Sequence, residues 1–118
     1  MRYFTTLRVT TQPPTPPPSV LMEAIMALGA EATASGALLD TAGLMPSAAG
    51  GARVQLADGT LTVTDGPFAE AKELISYAVY DVRSREEAVE WASRFLRLHQ
   101  EHWDGWVGEV DVMRVYEP

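Results

Sequence analysis

Asp65, Glu70, Lys72 and Glu73 place four ionisable side chains within nine residues, and Phe68 sets an aromatic ring among them. Carboxylates held beside one another and half-buried gain proton affinity and can then serve as acid or base. On an open surface the same pairing, with Lys72 neutralising its neighbours, is worth only about 0–1 kcal/mol. Pro67 fixes φ at about −65° and lacks a backbone donor, and Gly66 can reach conformations closed to other residues, so the loop should hold a defined shape. Asp65, Phe68, Glu70, Lys72 and Glu73 are thus the candidate ligand-binding set. Asp65, Glu70 and Glu73 are its candidate acid–base groups. Each has a structural alternative: Asp65 as the cap of a turn, Phe68 as an anchor to the core, and the charged trio as a solvated surface cluster.

His99 and His102 form a second constellation. A spacing of three puts both imidazoles on roughly one helix face, close to Glu101 and Asp104. Two histidines with no third ligand of known position do not define a metal site, so none is assigned, and no cofactor is expected. His99 continues an apolar stripe, which makes it a core residue or proton shuttle and a further catalytic candidate. Trp103 and Trp106 are expected to pack the turn that follows. No phosphate-cradling glycine loop, nucleophile elbow or thiolate is present.

Composition narrows the field. The chain has 118 residues, 47% of them hydrophobic, which suits one domain spanning 1–118. It has no cysteine, so disulfides and thiolate metal sites are ruled out and a cytoplasmic address is expected. The amino terminus carries no apolar signal run, and no stretch is long enough to span a bilayer, so no membrane partner is expected. A formal charge of −7 repels phosphate backbones, and the nine basic residues are scattered, which argues against direct nucleic-acid binding.

The elements that must position these groups alternate. Tyr3 to Thr10 reads as a strand, rich in aromatic and β-branched residues. Pro13 to Pro18 should be extended polyproline II, either a rigid connector or a ligand for an aromatic groove. Ser19 is the expected cap of a helix over Val20 to Ser35. Leu21, Ala24, Ile25, Leu28 and Ala32 face inward there, and Gly36 terminates it. Ala37 to Pro46 connects onward with some strand character, and Ser47 to Gly51 reads as a flexible loop or lid. Ala52–Leu56 and Thr60–Thr64 flank Asp58-Gly59, a hairpin signal. Leu74 to Val82 is a strand whose near-continuous apolar run suggests a central, covered position. Ser84-Arg85-Glu86-Glu87 fits a capping box, with Ser84 and Glu87 serving each other's backbone amides. The second helix then turns Ala88, Val89, Trp91, Ala92, Phe95, Leu96 and His99 inward and ends between Gln100 and Trp103. Gly108 to Tyr116 alternates as a final strand. Strand, helix, hairpin, strand, helix, strand is the order of an α+β ferredoxin-like sandwich with an extra β-hairpin.

Thr64-Asp65-Gly66-Pro67-Phe68-Ala69-Glu70-Ala71-Lys72-Glu73 resembles the signature of the DGPF-domain branch of the YCII-related family, over roughly Gly36 to Pro118. The resemblance implies a homodimeric α/β barrel in which two sheets pack face to face. Tyr77, Tyr80, Val110, Val112 and Val115 offer compatible apolar side chains. It also implies one functional reading, a non-catalytic regulatory protein linked to extracytoplasmic-function sigma-factor signalling. The loop residues themselves suggest another, a small-molecule site beside Asp65-Gly66-Pro67-Phe68, since such sites combine apolar wall with a few convergent polar groups. A third reading is a dimeric scaffold whose loop only closes the sheet. Some YCII-related proteins resemble enzymes that use an early histidine with an aspartate. No histidine precedes His99 here, so that pair is not carried over. Ile75-Ser76-Tyr77 also stands where a glycine pair often follows the Glu-Leu of this branch, and the added bulk should narrow an adjoining cavity.

Overall fold

Strand β1 (Arg2–Thr11) is an inner strand of the main sheet, hydrogen-bonded on both sides. In the computed structural model, which describes residues 1–69 and 72–118, it lies between β5 (Glu73–Asp81) and β6 (Val107–Arg114). Strand β2 (Leu38–Gly43) pairs along the other side of β5. All three pairings are antiparallel and the order is β2-β5-β1-β6, the strand order of a ferredoxin-like α+β sandwich. The segment from Ala37 to Pro46 therefore contributes a full edge strand.

Helix α1 (Ser19–Ala34) begins directly behind the prolines. Ser19 is its first helical residue and caps nothing, contrary to expectation. Extended Pro18 holds the cap position, and its carbonyl accepts from the Met22 amide at 3.2 Å. The other end follows the sequence closely. Gly36 adopts φ +81°, and the amides of Gly36 and Ala37 reach back to the carbonyls of Thr33 and Ala32, a Schellman closure.

Helix α2 (Arg85–His102) starts at Ser84, whose hydroxyl accepts from the Glu87 amide at 3.1 Å. The Glu87 carboxylate returns to the amide of Arg83 rather than to that of Ser84, so the reciprocal cap is displaced by one residue. Ala88, Ala92 and His99 are buried, and Val89 is turned to the outside, because the inward stripe at this turn passes through Ala88 and Trp91.

The alternation along β1 sorts the sheet into two faces. Tyr3, Thr5 and Leu7 are buried beneath the helices, level with Tyr80, Ala78 and Ser76 of β5. Tyr3, Ala37, Tyr80, Val82 and Ala88 form the centre of the core, and the Tyr80 and Trp91 rings stack at 6.4 Å. The opposite face carries Phe4, Tyr77, Val79 and Met113, with Phe4 and Tyr77 stacked at 5.7 Å. The Tyr77 hydroxyl donates to Asp40 at 3.0 Å, and this bond raises the phenol's proton affinity above its ordinary range. Among the described residues no helix covers this side, so β5 is central but only half-buried along most of its length.

Strands β3 (Ala52–Ala57) and β4 (Thr60–Asp65) form a separate two-stranded sheet. Asp58 and Gly59 both have positive φ (51° and 74°), the twist that a two-residue hairpin turn needs. Val54 faces Val63 and Leu56 faces Leu61, so one side of the hairpin is apolar, and all four remain at least 65% exposed.

Candidate functional site

The segment before the hairpin and the loop after it close on each other through Ser47. The Ser47 amide donates to Glu73 Oε1 at 2.7 Å, and the Ser47 hydroxyl accepts from the Phe68 amide at 3.1 Å. Its carbonyl accepts from the Gly51 amide at 3.1 Å, and Gly66 donates to the Gly51 carbonyl at 2.9 Å. The segment expected to be a flexible loop or lid is thus docked through its backbone and the Ser47 hydroxyl. Ser47 and Gly51 were legible in the sequence only as small residues, because their partners outside this segment lie 15 to 26 positions away.

Gly66 is required here for a different reason from the one its type suggests. Its φ is not positive. A Cβ at this position would instead fall 1.8 Å from the Ser47 carbonyl oxygen, so only hydrogen lets the two backbones touch. The Gly66–Pro67 peptide bond is cis.

This closure leaves a cleft of about 420 Å³. Leu44, Met45, Pro46 and Leu74 supply apolar wall, and Arg8, Arg53, Phe68 and Glu73 supply its charged and aromatic groups. The Arg53 guanidinium lies over the Phe68 ring, 4.3 Å from its centre. Across the sheet Arg8 Nε approaches Asp111 Oδ2 at 3.9 Å.

Of the residues singled out from sequence, Phe68 and Glu73 border this cleft. Phe68 is half-buried, and Glu73 is held by the Ser47 amide. Asp65 is the exposed last residue of β4, opposite Ala52, and does not border the cleft. Lys72 pairs with Glu109 of β6 rather than with Glu73. Glu70 lies outside the described residues. Arg8 and Arg53 were missed. Neither is near the loop in sequence, and only the register of β1 and the path of β3 bring them to it.

The two histidines occupy different environments. His99 is buried between the rings of Phe95 and Trp106, with centroid distances of 4.9 and 4.3 Å, and its Nδ1 bonds the Phe95 carbonyl at 3.0 Å. Burial lowers its pKa below the usual imidazole range, and the bond to Phe95 opposes this in part. His102 is half-buried, its Nε2 3.8 Å from Glu101 Oε2. Among the described residues no three His, Cys, Asp or Glu side chains form a group able to hold a metal ion. Trp103 is buried and its indole N–H donates to Thr15 at 3.4 Å, which ties the proline-rich segment to the end of α2. No helix among the described residues is long and apolar enough to cross a membrane.

A ferredoxin-like α+β sheet with an inserted hairpin and a glycine-proline loop at its base defines the class. The YCII-related domain model matches residues 9–114, and the chain belongs to that family. No curated protein matches it.

Proposed function

We propose that this chain is a cytoplasmic homodimer of the DGPF branch that binds a small molecule in the cleft beside Asp65-Gly66-Pro67-Phe68. The observation that carries this reading is the cleft itself. Its volume of about 420 Å³ falls in the range of small-molecule sites, roughly 300–1,000 Å³. Its makeup, apolar wall with a few polar groups converging on it, is also that of such sites. Phe68 and the two arginines offer a stacking surface and planar donors, and Glu73 keeps the loop in place. Dimerisation is supported by the uncovered sheet face, where Phe4, Tyr77, Val79 and Met113 place apolar surface on β1, β5 and β6.

A second reading, a regulatory protein acting by contact in extracytoplasmic-function sigma-factor signalling, is favoured by one feature. The hairpin presents Val54, Leu56, Leu61 and Val63 on a single exposed side.

Native mass spectrometry of gently purified protein tests the first reading. A dimer carrying extra small-molecule mass is expected, and the mass should be lost in Phe68→Ala and Arg53→Ala. Retention of the adduct by both variants would overturn the assignment of the cleft.

A further inference from the structure

A second cavity lies on the other side of the sheet, between its helix-facing surface and the two helices. It measures about 100 Å³ and shares no lining residue with the cleft. We infer that this cavity is a binding site for an uncharged single-ring molecule, a hydrocarbon or a phenol.

Small residues create the space. Gly29 and Ala32 of α1, Ala92 of α2 and Ala78 of β5 meet where larger side chains would close the core. A Cβ added at Gly29 would meet nothing within 4 Å, so the opening extends to the backbone of α1. Ile25, Leu28 and Phe95 complete an apolar wall.

Chemistry fixes the ligand class. Among the described residues no arginine, lysine, histidine or carboxylate lines the cavity, so a charged ligand would lose its hydration without a partner. The Thr5 and Thr41 hydroxyls are already committed to the carbonyls of Ala78 and Tyr77, at 3.0 and 2.8 Å. Each has given up its one hydrogen there and can only accept from a further partner. Ser76, on the same face as Leu7, has a hydroxyl with no hydrogen bond to the described residues. It could receive one polar atom of a ligand. Burial also raises the pKa of Tyr80, another lining residue, as expected in a water-poor setting. In size the space approaches the roughly 150 Å³ of a dry engineered cavity, in another protein, that accepts benzene or xenon.

The test uses benzene, phenol and benzoate as probes on the full chain. Benzene and phenol should each raise the melting temperature, by about 5 °C at ten times the dissociation constant. Each should also shift the amide resonances of Leu7, Gly29, Ala32 and Ala78. Benzoate at neutral pH should do neither. Gly29→Leu and Ala92→Leu each fill the space from a different helix, and either variant that folds should lose both responses. No response of the wild type to benzene or phenol would overturn the inference, as would an undiminished response in a folded filled variant. Benzoate binding as well as benzene would overturn the ligand class.

Discussion

Arg53 of β3 and Phe68 of the loop after β4 are in face contact, with the guanidinium carbon 4.3 Å from the ring centre. The pair joins the root of the hairpin to the Asp65-Gly66-Pro67-Phe68 loop. Such contacts contribute about 0.5–1 kcal/mol when exposed and up to about 2 when desolvated. Arg53→Met keeps a long apolar stem and removes the charge, so it should lower stability by about 1 kcal/mol in urea unfolding. Arg53→Lys should recover part of the loss.

Gly66→Ala should be among the most damaging single-methyl changes in the chain. Its Cβ meets the Ser47 backbone, which has no flexible end to move aside. A loss on the order of 2–3 kcal/mol is expected from overpacking. Gly43→Ala is the control, because a Cβ there meets nothing within 4 Å. Comparable melting temperatures for the two variants would contradict the close approach.

Glu73→Ala should release the Ser47 amide and cost about 1.5–3 kcal/mol, the range for hydrogen bonds to charged groups. Glu73→Gln retains an acceptor and should lose less. Hydrogen exchange at the Ser47 amide reports the bond directly and should accelerate most in the alanine variant.

Stability should fall on mild acidification because of His99. Its folded pKa lies below the unfolded value of about 6.5, so the unfolded chain takes up the proton first. The neutral, buried ring therefore contributes fully above about pH 6.5, and the contribution is lost as pH falls toward the folded pKa. Urea unfolding between pH 7 and pH 5 should show this slope, and His99→Phe should flatten it.

Phe4→Asp tests the uncovered sheet face. Phe4 is 38% exposed and stacks on Tyr77, and a carboxylate there would be costly to bury against another molecule. Size-exclusion chromatography with light scattering should show wild-type dimer and monomeric Phe4→Asp. A monomeric wild type would remove the face-to-face barrel.

Features governed by neighbouring residues were readable in the sequence. Asp58-Gly59 specified its turn, Gly36 its helix end, and Ser84 its cap, since each depends on residues within a few positions. Ser19 misled because the carbonyl of Pro18, rather than a side chain, opens the helical ladder. The cleft was only half legible. Phe68 and Glu73 were visible in the motif, but Ser47, Arg8 and Arg53 reach them through β-sheet register and backbone docking. Nothing local in their sequence marks that meeting. The ferredoxin-like order was recoverable because it follows from the alternation of elements.

The contact between Gly66 and Ser47 has a further consequence. The chain leaves the main fold near Ser47, travels out and back along the hairpin, and returns at Gly66 to almost the point of departure. An excursion that starts and ends in one place is topologically a removable module. Joining the chain across that point with a short turn should leave the path of the four-stranded sheet intact. The hairpin can therefore vary in length or surface without re-threading the domain that carries it.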